Sequence, residues 1–289
     1  MQLHKIYNPI TATPFRCAKN HTEFEPCDAL KPYIRCFWGT KEPMEQEVEN
    51  DGTVEIVTPD TCTDIIFTVD FTKNKIYDHF CGIDDRTFTT CDGKKEKNKI
   101  FLFAIRFYPW GAAMFAEESL KDTKNAFFDV GYHFAKLKKA VEPVLFEVDD
   151  MAQLIPKVEK VLLKNYNEKH KNPLVLQAIH HMLMQKGKIQ VRELGQELFI
   201  SERQLERLFR EYVGVSPKSL ASMVQYQYLW NDVVYNGQFD ILDAVCKYGY
   251  VDQAHLCHSF KKYHSMNLAE AKRYAMKHVG NIQENAVKN

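Results

Sequence analysis

Residues 201–212 read SERQLERLFREY, and this stretch decides how the chain is organised. Ser201 is a good helix N-cap, and Gln204 three residues on completes a capping box. Leu205, Leu208, Phe209 and Tyr212 then fall at i, i+3, i+4 and i+7, which makes one apolar face. Arg203, Glu206, Arg207 and Arg210 stand on the other face. Alone, such a helix reads equally well as an ordinary solvated one.

The pattern returns 51 residues later. Ser201 corresponds to Asp252, Leu205 to Leu256, Phe209 to Phe260 and Tyr212 to Tyr263. Upstream, Leu194 and Gly195 correspond to Val245 and Cys246, and Ile200 to Val251. The small residues Gly195 and Cys246 fall where two helices of a helix-turn-helix cross closely. Between the units, Ser216–Tyr235 keeps a helical period through Leu220, Met223, Val224, Gln227, Trp230 and Val234, with Pro217 in its first turn. Roughly 19 residues give about 28 Å of helix. That length suits a rigid spacer between readers of successive major grooves, which lie about 34 Å apart.

Residues 174–275 resemble the DNA-binding domain of the AraC/XylS transcription regulators. The resemblance rests on Ser201, Leu205, Arg207, Phe209 and the turn Gly214-Val215-Ser216-Pro217. In the second unit it rests on Tyr248-Gly249-Tyr250, Asp252, Leu256 and Phe260-Lys261-Lys262-Tyr263. Two departures stand out: the second Gly-x-Ser-Pro is Ser265-Met266-Asn267-Leu268, and the late arginine of the second reading helix is His258. The front of the chain resembles the effector-type domain that precedes such DNA-binding domains, over Pro26–Trp38, Pro59–Phe67 and Phe103–Gly111. The resemblance implies a ligand-sensing front domain, a regulator that is usually an activator touching RNA polymerase, and helices after the barrel that carry dimer contacts, the alternative being that they pack against the chain's own barrel.

Composition agrees with this organisation. The 289 residues suffice for two domains. Net charge is zero, but residues 1–169 carry 23 Lys and Arg against 27 Asp and Glu, while residues 170–289 carry 15 against 11. An acidic front and a basic rear fit a rear domain facing phosphates. No signal peptide pattern opens the chain and no apolar run reaches membrane-helix length, so a cytoplasmic protein is expected. Six of the eight cysteines, Cys17, Cys27, Cys36, Cys62, Cys81 and Cys91, lie in the first 91 residues without C-x-x-C spacing. They read as reduced thiols, with a scattered metal or thiol-redox sensor as the alternative. No phosphate loop, nucleophile elbow, HExxH or Cys/His hydrolase signature is present, so no enzyme and no cofactor are expected. A small-molecule enzyme domain fused to a DNA module is the remaining alternative.

The expected fold is therefore α+β. Residues 1–166 form a β-rich, barrel-like sensing and dimerisation domain with helices, residues 167–173 a linker, residues 174–278 two helix-turn-helix units joined by a long helix, and residues 279–289 a disordered tail. Strands are expected at Tyr33–Trp38, Val54–Val57, Asp64–Phe71, Lys75–Phe80 and Ile100–Tyr108, with a hairpin loop at Asp92–Lys99. Helical segments are expected over Gly111–Glu118, Phe128–Lys139 and Asp149–Tyr166, the last kinked or started late by Pro156.

Arginine forks suit guanine, so Arg203 and Arg207 are the candidate base readers of the first unit, with Gln204 beside them. Glu206 accepts from cytosine or orients an arginine, and Arg210 holds the backbone. In the second unit Gln253 suits adenine and Ala254 a thymine methyl, with His255, Cys257 and His258 on the same helix and Lys261 and Lys262 as phosphate contacts. A zinc site from His255, Cys257 and His258 is disfavoured because they point to different sides. In the front domain, Trp38, Asp64, Arg106, Tyr108 and Trp110 are candidates for an effector pocket. Arg106 among apolar neighbours needs Asp64 or a ligand carboxylate as its partner. The expected partners are double-stranded DNA, an unidentified small-molecule effector, RNA polymerase and a second copy of the chain.

Overall fold

The computed structural model describes residues 1–10, 21–45, 54–91, 98–147, 150–236 and 238–277. The expected tail, most of the Asp92–Lys99 loop, and Cys17 lie outside these residues.

The front domain contains β1 (His21–Phe24), β2 (Ile34–Thr40), β3 (Met44–Glu45), β4 (Val54–Val57), β5 (Thr63–Asp70), β6 (Lys75–Cys81), β7 (Phe88–Cys91), β8 (Lys99–Phe107) and β9 (Phe127–Phe128). The main sheet runs β1-β2-β8-β5-β6-β9 with β3 also on β8, and β4 pairs with β7 separately. Every pairing is antiparallel. Strand alternation sets the two faces. Phe37, Ile65, Phe67, Val69, Phe101, Phe103, Ile105 and Phe107 point one way and are fully buried. That face packs on α1 (Gly131–Leu145) and α2 (Met151–Asn165).

The sheet is open, with β1 and β9 at its edges, and no closed barrel forms among the described residues. The barrel-like expectation is corrected for a physical reason: two helices, rather than a continuation of the sheet, cover the apolar face. Three local expectations change as well. Gly111–Glu118 contains only a single 3-10 turn at Ala112–Met114. Phe127 and Phe128 pair with β6 instead of opening a helix. The helix α2 begins at Met151 and runs on through Pro156. The carbonyl left without an N–H partner by that proline belongs to Ala152, an exposed position where water can serve it. The stripe Met151, Leu154, Ile155, Val158 and Leu162 is spent on the chain's own sheet.

The rear domain is helical: α3 (Pro173–Met184), α4 (Val191–Glu197), α5 (Glu202–Tyr212), α6 (Pro217–Tyr235), α7 (Ile241–Tyr248), α8 (Gln253–His264) and α9 (Leu268–Lys277). Its core is built from Leu194, Leu205, Phe209, Leu220, Trp230, Leu256 and Phe260, among others. The same core takes in Leu3, Tyr7, Ile10, Ile83, Tyr108 and Trp110 from the front of the chain. The first ten residues thus pack with the rear helices.

Candidate nucleic-acid interface and sensing site

Each helix-turn-helix unit is assembled by caps and turns. Ser201 Oγ accepts from Gln204 N at 3.2 Å and starts α5. Asp252 Oδ1 accepts from His255 N at 2.7 Å and starts α8. A Cβ on Gly195 would lie 2.9 Å from the Ile200 carbonyl oxygen, so a larger residue there would have to shift the first turn.

The second turn is built one residue longer. Ile200 N donates to Gly195 O at 3.0 Å, and its counterpart is Tyr250 N to Val245 O at 3.0 Å. The caps Gln190 and Asp240 show the same offset of fifty. The repeat of 51 therefore holds for the reading helices and is corrected to fifty for the helices ahead of them. Ala244, buried, takes the place of Leu194, while Cys246 is exposed. Val251 is the inserted residue.

The replaced Gly-x-Ser-Pro keeps its geometry. Gly214 adopts φ +85° and Ser265 φ +54°, and Asn267 caps α9 by accepting from Glu270 N at 2.9 Å. Glycine is required only in the first unit, where a Cβ on residue 214 would lie 2.3 Å from Thr123 Oγ1 of the front domain.

On α5, Leu205, Leu208 and Phe209 are buried, and Arg203, Gln204, Arg207 and Arg210 are exposed together. Glu206 Oε2 lies 3.8 Å from Arg210 Nε, the orienting contact rather than a free acceptor. Arg207 Nη1 donates to Glu211 Oε2 at 3.4 Å. On α8, Gln253, Ala254, His255, Cys257, His258, Lys261 and Lys262 are exposed while Leu256, Phe260 and Tyr263 are buried. His255 Nδ1 faces the Val251 N–H at 3.3 Å and its ring stands edge-on to Tyr250, so it braces the turn. Lys262 Nζ sits 4.9 Å over the ring of Tyr263, the residue whose carbonyl accepts from Thr87 Oγ1 of the front domain. Among the described residues no group of three or more His, Cys, Asp or Glu is arranged to hold a metal ion.

The five front-domain candidates fall into two groups. Arg106 and Asp64 are cross-strand neighbours on β8 and β5. The guanidinium donates to both Asp64 oxygens at 3.0 Å, and its Nη1 lies 3.5 Å from Asp60 Oδ2. Trp38 Nε1 donates to Asp64 Oδ1 at 2.8 Å, and its ring faces the Arg106 guanidinium at 5.3 Å. The partner that Arg106 requires is thus supplied by the protein. Asp60, which sequence reasoning passed over, is its second counter-charge. The adjoining cavity, lined by Pro9, Glu23, Arg35, Cys36, Asp60, Cys62 and Arg106, holds about 10 Å³, room for one water. Burial pushes the Cys36 and Cys62 thiols well up. Tyr108 and Trp110 are elsewhere, stacked at 4.8 Å, with Trp110 Nε1 donating to Pro32 O at 2.7 Å and its ring 6.4 Å from Tyr7. They belong to the contact between the two domains.

That contact reaches the helix-turn-helix region at two places, on α6 and at the end of α5. Gln227, in the middle of α6 and 2% exposed, accepts from Ile10 N at 2.9 Å and donates to Pro59 O at 2.7 Å. Leu120 N donates to Glu211 O at 2.9 Å, at the end of α5. Tyr7, whose hydroxyl meets Thr61 Oγ1 at 2.9 Å, ties the N-terminal segment to the same loop. Sequence periodicity placed Gln227 on a helical stripe and gave no sign of its partners. His264 was likewise missed: it is fully buried against Trp230 and Phe260, with Nδ1 2.7 Å from Tyr226 Oη, and burial lowers its pKa to about 3.

Comparisons with known proteins divide the chain in the same way. Residues 194–274 match the family described as "Helix-turn-helix domain", and residues 22–129 match "Domain of unknown function (DUF6597)". No curated protein matches the chain in sequence. Among solved structures, ToxT from Vibrio cholerae is similar at 14% identity, covering 82% of this chain and 98% of that one with a TM-score of 0.40. ToxT bound to (E)-4-(8-methylnaphthalen-1-yl)but-3-enoic acid is similar at 12% identity over 89% and 100%, TM-score 0.40. The C-terminal domain of AraT, a response regulator from Geobacillus stearothermophilus, is similar at 17% identity over 35% and 85%, TM-score 0.33. Among the described residues no helix is long and apolar enough to cross a membrane.

Proposed function

We propose that this chain is a DNA-binding transcription regulator whose front domain controls how its two helix-turn-helix units engage DNA; the match of residues 194–274 to a helix-turn-helix domain supports the reading. Arg203 and Arg207 read bases from α5, Gln253 and Ala254 read from α8, and Arg210 and Lys261 hold phosphates. The observation that carries the control is Gln227: the helix spacing the two readers has its buried amide satisfied by the front domain at Ile10 and Pro59. A small molecule that shifts the Pro59–Cys62 loop would therefore bear on α6 directly. We read the protein as a cytoplasmic activator without catalytic activity, able to act with RNA polymerase and a second copy of itself. The thiol-sensor reading is weaker, because burial disfavours the thiolate at Cys36 and Cys62.

The test is a DNA titration of the full chain at two salt concentrations, on duplexes selected from a random pool, with Arg207→Ala as the variant. Losing a base-reading arginine should cost about 1–3 kcal/mol and relax preference at one position. Equal affinity of variant and parent would remove α5 from the interface.

A further inference from the structure

The two turns that precede the reading helices solve one backbone problem in two ways. In the second unit the left-handed residue is Gly249, φ +70°, whose N–H donates to Cys246 O at 3.3 Å. In the first unit the equivalent residue is Phe199, φ +54°, whose N–H donates to Gln196 O at 3.2 Å. A left-handed backbone suits glycine and is costly for a bulky side chain. Nothing is recovered by packing, since Phe199 is 95% exposed. The fold thus pays for a phenylalanine where its own second copy uses glycine.

Position says what the side chain meets. Phe199 lies two residues ahead of the Ser201 cap, and the exposed Arg203 and Gln204 follow in the first turn of α5. In helix-turn-helix proteins the N-terminal end of the reading helix is the part that meets base edges. The second unit repeats the feature with its inserted residue: Val251, directly ahead of the Asp252 cap, is 84% exposed. Around Phe199, Leu198 is buried, Gln196 is exposed, and Glu197 is drawn to His181 Nδ1 at 2.7 Å. Phe199 is thus an exposed apolar side chain flanked in sequence by polar or buried neighbours.

We propose that Phe199 is an apolar DNA contact, packed against deoxyribose or a thymine methyl where α5 enters the major groove. The contact rests on the reading of α5 as the first DNA reader. Apolar side chains meet thymine methyl groups in the groove, and such a contact displaces no counterion.

The experiment titrates the full chain against its selected duplex with Phe199→Gly, Phe199→Ala and Arg207→Ala. Both Phe199 variants should bind more weakly, by roughly five- to tenfold, with an unchanged salt slope. Phe199→Gly should melt no lower than the parent, because it copies the glycine of the second unit. Weaker binding by Phe199→Ala confirms the contact even if the glycine variant were to lose stability. Deoxyuracil in place of thymine, which removes only the methyl, should weaken the parent alone if the methyl is the partner, and neither protein if the sugar is. Unchanged affinity for both Phe199 variants, with Arg207→Ala still weakened, overturns the proposal and turns Phe199 to a protein partner. If Arg207→Ala also binds as the parent does, the DNA reading of α5 fails first.

Discussion

The Gln227 side-chain amide donates to the Pro59 carbonyl at 2.7 Å across 168 positions of sequence. Its own oxygen accepts from Ile10 N at 2.9 Å. One side chain on the helix between the two helix-turn-helix units thereby holds both the N-terminal segment and the loop that carries Asp60.

Gln227→Ala leaves a buried N–H and a buried carbonyl without that partner, a loss of about 2–3 kcal/mol. Urea unfolding should show it. If the front domain governs the readers through this contact, DNA affinity should shift at least severalfold as well. A destabilised variant with the parent's affinity would separate docking from DNA binding.

Gly214→Ala combines a positive φ with a Cβ 2.3 Å from Thr123 Oγ1. A destabilisation of about 1–3 kcal/mol is expected. Adding Thr123→Ala should recover the steric part and leave the backbone part. No recovery in the double variant would mean that the front-domain contact is absent in solution.

How much of this was legible depends on whether the signal was local. Ser201, Asp252, Leu205 and Leu256 declared both reading helices because caps and apolar stripes repeat within one helix. The strands at Val54–Val57 and Lys75–Cys81 were legible for the same reason. The offset of the first helix of each unit was misread because Gly195 and Cys246 look alike as small residues, while the hydrogen bonds pair Gly195 with Val245. Gln227 and Asp60 were illegible as partners because their contacts are long-range: sequence shows a polar residue on an apolar stripe, not what satisfies it. Arg106 was half legible. Its need for a counter-charge is chemistry, whereas the choice between protein and ligand is geometry.

Arg106 is 6% exposed and holds Asp64 by two bonds and Asp60 by a third contact. Arg106→Ala strands two carboxylates and should cost about 3–5 kcal/mol. Thermal melting of Arg106→Ala beside the milder Asp64→Asn should show the difference. A small loss for Arg106→Ala would mean that the cluster opens to water, which would revive its role as a ligand site.

Asp84 lies in the Gly82–Thr87 turn, next to Ile83, which packs into the rear core. Burial, with Asp60 and Asp85 nearby, pushes its pKa up to about 7. An acid that holds its proton more tightly when folded adds stability below its unfolded value, about 4, and loses it as pH rises toward the folded value. Stability should therefore fall between pH about 4 and about 7, by about 1–2 kcal/mol once solvent screening is allowed for. Asp84→Asn should flatten that fall and be the more stable protein at pH about 8. Urea midpoints for both proteins on either side of the window decide it, and parallel pH profiles would contradict it.

The most direct test of the central claim, that α5 and α8 read DNA as a pair, is a hydroxyl-radical footprint of the full chain on its selected duplex. Two protected tracts centred about 10 base pairs apart are expected, one helical turn. Arg207→Ala should fade one tract and Gln253→Ala the other. A single tract, or protection indifferent to both substitutions, would contradict it.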